Sequence, residues 1–296
     1  MSEFTYTPYD GSAQPFTMGL RPLDPAAWIE IDHHYTDHLI EKHRLYTDKQ
    51  EAVFAALPAS LPAQDECLRL LIAHLKSHFT DRFEISDTQI FTRDGRFTWV
   101  IEDFTDTPLA LAGQLVQEDF CLIDPHAAEP ILVAASLCFP SSWALKDKIG
   151  KSLDLVHAPV PGYQNSMATK VNRMMQIMPA DRIVWRMNWS LDEGPDLHRP
   201  APHLHDPWLE AQGDPFQHIF IRVERQTLRR LPETGFVVFT IRIYTDCLGN
   251  LKSHPDAGNL AKNLHSQLAA LTDDQAAYKG LTKARPNILR ALQQLS

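Results

Sequence analysis

HIFIRVERQTLRRLPETGFVVFTIRIY, residues 218–244, decides the fold. Branched aliphatic and aromatic residues fill both ends, and Pro232 and Gly235 punctuate the middle. The stretch therefore reads as two antiparallel strands, with QTLRRLPET as the hairpin loop. RIVWRMNW, residues 182–189, reads as a third strand and ILVAASLCF, residues 131–139, as a buried one. Strand side chains alternate between faces. Ile219, Ile221, Val223 and Arg225 thus share one face, and Phe220, Arg222 and Glu224 the other. In 182–189, Ile183, Trp185, Met187 and Trp189 share a face that reads as core, opposite Arg186 and Asn188.

Helical patterns flank these strands. Helical character is expected from about Tyr35 to Leu57. Leu68, Leu71, Ile72, Leu75 and Phe79 form one apolar helical stripe. Shorter helices are expected over 108–117, with Pro108 in the first turn, and over 169–178. The chain closes with helices near 260–271 and 275–295, the latter broken at Pro286. Asp94-Gly95, between IFTR and RFTWV, predicts a two-residue hairpin. The first thirty residues read as an irregular arm anchored by Trp28 and Ile31, and KDKIGKSLDLVHAPVPGY as a turn-rich connection. The order predicts an α+β fold in one integrated domain, 1–296. Arm and helices occupy 1–80, the sheet core 81–250 and the closing helices 251–296.

Composition excludes several function classes. With 28 Lys+Arg against 37 Asp+Glu, the net charge of −9 disfavours a nucleic-acid partner. The longest apolar run, 131–139, is too short to span a bilayer. No basic segment followed by an apolar one opens the chain, so a cytoplasmic location is expected. Cys67, Cys121, Cys138 and Cys247 are scattered and form no CxxC pair, which disfavours an iron–sulfur cluster or zinc ribbon held by this chain and fits reduced thiols. There is no GxGxxG, Walker A loop, GxSxG or HExxH.

Histidine supplies the remaining candidates. His33, His34, His38 and His43 cluster early, and His34 and His38 lie one helical turn apart beside Asp32, Asp37 and Glu41, so a shared metal competes there with a solvated face. His203, His205 and Asp206 match a two-histidine, one-carboxylate iron set, against the simpler reading of a polar loop. His157 follows the apolar run 153–156 and precedes the stiff APVPGY turn. It reads either as a haem axial ligand or as a histidine bonded to the turn's backbone. Arg225 continues an apolar strand face, so burial there demands an anionic partner: a protein carboxylate, a haem propionate or a polarised oxygen ligand.

Two resemblances appear at these residues. KIGKSLDLVH, residues 148–157, resembles the helical connection of PAS domains. From about Pro15 to Leu292 the chain resembles the haem-dependent oxidative N-demethylase α-subunit family. PFTMGLRPL, LVQEDFCLI, LCFPSSWALKDKIGKSLDLVHAPVPGY, RMNW, VERQTLRRLP, VVFTIRIY and YKGL carry that resemblance. It implies a PAS-like antiparallel sheet with a haem pocket, elaborated by helices at both ends. The implied activity is monooxygenase oxidation of a small methylated amine such as dimethylamine to the dealkylated amine and formaldehyde. Haem b and O₂ would act in this chain. Electrons would come ultimately from NADPH through partner subunits carrying FMN and a 2Fe-2S cluster, beside a folate-binding subunit.

The resemblance makes His157 the expected axial ligand and Tyr163 a pocket residue that donates to oxygen or orients the amine. Arg225 would polarise oxygen or hold a propionate, and Glu224 would hold the ammonium or relay protons. Glu224 and Arg225 both reach one pocket only if a bulge intervenes, and Arg222 is the substitute on the Glu224 face. Lys146 and Lys148 are further propionate candidates. Competing expectations are a haem-PAS gas sensor or carrier, a non-haem iron oxygenase using the 203–206 set, and a scaffold subunit that binds neither.

Overall fold

In a computed structural model, which describes residues 4–201 and 213–296, the strands pair where alternation and turn chemistry place them. Seven form one antiparallel sheet: β1 (Arg21–Leu23), β2 (Phe54–Ala56), β6 (Asp119–Asp124), β7 (Ile131–Ser136), β8 (Ile183–Asp192), β9 (Phe220–Arg230) and β10 (Val237–Cys247). The spatial order is β1-β8-β9-β10-β6-β7-β2. A smaller sheet joins β3 (Phe83–Ile85), β4 (Gln89–Thr92) and β5 (Thr98–Val100). The helices are α1 (Tyr35–Val53), α2 (Leu61–His78), α3 (Pro108–Leu115), α4 (Leu153–Val156), α5 (Tyr163–Ser166), α6 (Ala168–Ile177), α7 (Pro215–His218), α8 (Ala257–Ala269), α9 (Asp273–Tyr278) and α10 (Arg285–Leu295). This is the expected α+β fold. Among the described residues no helix is long and apolar enough to cross a membrane.

Several local expectations are corrected. QTLRR belongs to β9, since every residue from Phe220 to Arg230 pairs with β10, and the hairpin loop shrinks to 231–236. The Asp94-Gly95 turn closes a four-residue loop: Thr92 and Phe97 still exchange a backbone bond of 3.0 Å, and Gly95 adopts φ +71°. The first long helix stops at Val53, where the chain turns into β2 and pairs with β7. Pro286 opens α10 rather than breaking a helix, as its missing N–H costs nothing in a first turn. The break falls before it, where Gly280 takes φ +67°.

Register fixes which side chains share a face. Trp189, Val223 and Tyr244 lie opposite one another on one face; Asn188, Glu224 and Ile243 on the other. On the first face, α2, α3 and Trp28 cover Phe120, Leu122 and Val238, while α8, α9 and α10 cover Trp189, Leu191, Ile221 and Val223. The second face carries Cys121, Ile123, Leu228, Val237, Ile241 and Ile243, covered by segment 137–178 with α4 and α6. Beyond the three residues that pair with β1, β8 is an outer strand. The C-terminal unit closes that edge, with Lys279 Nζ donating to Trp189 O at 2.6 Å.

Buried charge ties the helices to the sheet. Lys42 and Asp119 are both fully buried and pair at 3.2 Å. Lys42 also donates to Gly113 O and Glu118 O, and Asp119 accepts from the backbone N–H groups of Cys138 and Phe139. All hydrogen-bonding capacity that matters there is used, the condition under which a buried pair survives desolvation.

Gly113 lets α3 lie directly on β7. A Cβ at 113 would overlap the Ser136 side chain, whose Cβ would stand 2.6 Å away. Alanine normally stabilises a helix interior by about 1 kcal/mol over glycine. Here Gly113→Ala is expected to destabilise the protein by about 1–3 kcal/mol through overpacking. Urea unfolding of the variant checks the sign.

Candidate functional site

The stretch 148–163 builds its own rigid platform on the second face of the sheet. Leu153 anchors α4 in the cluster formed with Ile123, Met175, Leu228 and Val237. His157 caps α4: both its backbone N–H, at 2.9 Å, and its Nδ1, at 2.8 Å, bond Leu153 O. A carbonyl only accepts, so Nδ1 carries the proton and Nε2 keeps its lone pair. Burial, and after it the charges of Lys148 and Arg186, holds the imidazole pKa below its ordinary value against the bond to Leu153. His157 is therefore neutral, as a metal ligand must be.

The following turn brings Tyr163 back onto His157. Val160 N–H bonds His157 O at 2.8 Å, and Tyr163 N–H bonds Val160 O at 3.1 Å. Gly162 takes φ +76°, a left-handed conformation that glycine adopts without cost. The two rings stack, with centroids 4.6 Å apart and planes 15° from parallel. Tyr163 is buried, its hydroxyl has no hydrogen-bond partner, and burial raises its pKa. Lys148 donates to Val156 O, and burial lowers its pKa. It steadies the residue before His157, while Lys146 is exposed.

The other expected residues divide between the faces. Paired positions continue through β9 without a register shift, so no bulge brings Glu224 and Arg225 to one side. Glu224 lies on the His157 face, where its Oε2 accepts from Gln226 Nε2 at 2.7 Å and Asn188 Nδ2 at 3.4 Å. Arg222 shares that face but is committed: it donates to Ser141 Oγ and to the carbonyls of Phe139, Pro140, Asp196 and Leu197. It pins the cover segment down. Arg225 points to the opposite face, where it pairs with Glu30 at 3.0 Å and donates to Ala27 O and Trp28 O. The structure thus does not bring Arg225 to His157. Its required anion is a protein carboxylate, and its role is to moor the N-terminal arm.

Two residues of the site escaped the sequence reading as functional candidates. Arg186 shares the Glu224 face, diagonal to it across β8 and β9, and its charge helps to depress the His157 pKa. Lys279 comes from the far C-terminal end; burial pushes its pKa down to about 8, against the charges of Glu224 and Asp192. Alternation in RIVWRMNW already placed Arg186 away from the core face, and that was the usable signal. Nothing local marks Lys279, because its position depends on tertiary docking.

The early histidines form no metal centre. Among the described residues no group of three or more His, Cys, Asp or Glu side chains is arranged to hold a metal. His34 and His38 stack at 5.7 Å, but His38 Nδ1 accepts from Gln117 Nε2 at 3.0 Å and faces Arg242 at 3.3 Å. His203, His205 and Asp206 lie outside the described residues.

The donor set at 148–186 fits a metal-bearing group with acidic substituents. It offers one neutral imidazole with a free Nε2, an unfilled buried hydroxyl and an uncommitted guanidinium. The family model described as haem-dependent oxidative N-demethylase, alpha subunit-like, matches residues 19–289. The match spans most of the chain, and the chain belongs to that family.

Two measurements test this geometry. Tyr163→Phe removes a buried hydroxyl that has no partner, so stability of the ligand-free protein is expected to hold or rise by up to about 1–3 kcal/mol. His38, driven down to about 3 by burial and then by Arg242, gives a pH dependence of known sign. The unfolded chain takes up this proton near pH 6.5 and the folded one only near 3, so stability falls as pH drops through that window. Chemical denaturation of wild type and His38→Gln from pH 7 to 3.5 is expected to show the shallower loss in the variant.

Proposed function

We propose that this chain is the haem-bearing, substrate-oxidising subunit of an oxidative N-demethylase, with His157 as the residue that would hold the haem iron. The observation that carries the reading is the His157 tautomer: Leu153 O holds the Nδ1 proton and leaves Nε2 free on a fixed platform. Family membership supplies the identity of the group. When bound, haem supplies the activation of O₂ that oxidising an N-methyl group requires.

The protein's own residues supply the surroundings. Leu153, Val156, Ile241 and Phe239 line the sheet face with apolar surface and exclude water. The Tyr163 hydroxyl, with no protein acceptor, would be free to donate a hydrogen bond to O₂ or to orient the amine. Glu224 has one carboxylate oxygen engaged by Gln226 and Asn188, and the other faces the substrate ammonium. Asn188 and Gln226 are positioning residues for that carboxylate. The substrate is a small methylated amine of the dimethylamine class, and the products are the demethylated amine and formaldehyde. The chain shows no nucleotide-phosphate motif, which supports electron delivery from NADPH through partner subunits bearing FMN and a 2Fe-2S cluster. A folate-binding subunit would accept the one-carbon product. A cytoplasmic location fits these partners.

Haem reconstitution followed by absorbance spectroscopy tests the reading. A Soret band that shifts on reduction and on carbon monoxide binding is expected, with loss of the band in His157→Ala. Retention of the band in that variant moves the ligand elsewhere, and no band in wild type overturns the haem reading. With a reductase present, Glu224→Gln is expected to raise the amine KM by roughly tenfold or more while haem content is unchanged. An unchanged KM removes Glu224 from amine binding.

A further inference from the structure

The cations on the His157 face of the sheet are accounted for except one. Arg222 is spread over Ser141 and four carbonyls. Lys148 holds Val156 O and Arg199 pairs with Asp192 at 3.5 Å, while Lys279, over the Trp189 ring at the β8 edge, holds Trp189 O. Arg186 stands apart. Its Nε is buried and has no hydrogen-bond partner, and no ion pair joins its guanidinium to a carboxylate among the described residues.

Geometry explains why Glu224 does not fill this role. Arg186 sits opposite Gln226 in the β8–β9 register, and Glu224 sits opposite Asn188. The two charges are diagonal neighbours on one face, and Glu224 is held by the two amides instead. A buried guanidinium N–H without an acceptor is costly, and such a group marks a place where a ligand can supply the missing partner. The planar fork of arginine matches a carboxylate through two parallel hydrogen bonds. A monoanion suits the place better than a phosphate dianion, because the Glu224 charge lies on the same face.

We infer that Arg186 is the anion receptor of this site and takes a carboxylate carried by the bound ligand. The inference deepens the proposed function and rests on it. Two sources offer that chemistry. One is a propionate of the haem. The other is a carboxylate on the amine itself, as in an N-methyl amino acid, whose ammonium would lie toward Glu224.

The test uses the full chain as wild type, Arg186→Gln and Arg186→Lys, the last keeping the charge without the fork. Soret titrations measure affinity for haem and for haem dimethyl ester. Calorimetry on the ligand-free protein measures N-methylglycine and dimethylamine. In the propionate case Arg186→Gln weakens haem binding by roughly tenfold to a hundredfold, while the diester binds wild type and variant alike. In the substrate case haem affinity is unchanged, and N-methylglycine binding falls by the same factor while dimethylamine binding is retained. Either result supports the inference, with Arg186→Lys intermediate. Equal affinities in wild type and Arg186→Gln for both haem and N-methylglycine overturn it. Thermal melting of the ligand-free proteins separates a structural role: an anion receptor leaves Arg186→Gln as stable as wild type or more so, and a marked loss of stability with no ligand effect also overturns the inference. Failure of wild type to bind either porphyrin sinks the haem reading instead, and the calorimetric arm still decides Arg186.

Discussion

A guanidinium taken out of water must be given acceptors, and that constraint organises this protein. Arg222, Arg225 and Arg242 are 1%, 1% and 0% exposed. An unmatched charge at such a depth costs about 3–5 kcal/mol. Each is answered by chain from elsewhere. Arg225 draws in the arm through Ala27, Trp28 and Glu30, and Arg242 holds Asp32 at 2.7 Å. Arg222 draws the 139–141 and 196–197 segments onto the opposite face. The central strands thereby specify where both the arm and the cover must lie.

The same strands sort structure from chemistry by alternation alone. One face of β9 carries Ile221, Val223 and Arg225 into the contacts of the arm and the C-terminal helices. The other carries Arg222 and Glu224 toward the segment that presents His157. A one-residue slip would exchange the two sets, so the eleven paired positions between β9 and β10 protect the site as well as the fold.

The central hairpin and the long helices were legible because their periodicities extend over many residues. Edges were less so. β1 and β2 are three residues each, and they become strands only because β8 and β7 offer open edges for pairing. Trp28 and Arg225 illustrate the limit of local reading. Alternation correctly demanded an anion for Arg225, but only tertiary docking could show that the anion is Glu30, 195 positions earlier in the chain (225 − 30). His157 stood out because stiff Pro-rich chain follows an apolar run, while Lys279 depends on how the last helices pack and carries no local mark.

Polar satisfaction gives the site its remaining distinction. Arg222 has acceptors from Ser141 and four carbonyls, and Arg225 and Arg242 are paired with Glu30 and Asp32, although the Nε atoms of both make no hydrogen bond. Between 152 and 186, Ser152 Oγ, Tyr163 Oη, Asn172 Oδ1 and Arg186 Nε are likewise buried without hydrogen-bond partners. Each such group costs about 1–3 kcal/mol if left dry. Comparable orphans occur elsewhere, as at Tyr9, Trp28, His74, Trp99 and Glu118. Here they accompany a histidine whose Nδ1 proton is held by Leu153 O, leaving Nε2 with its lone pair. Unpaired groups beside such a histidine place unfavourable free energy where a ligand could remove it. A ligand bound there would stabilise the folded chain by mass action and order the groups around it.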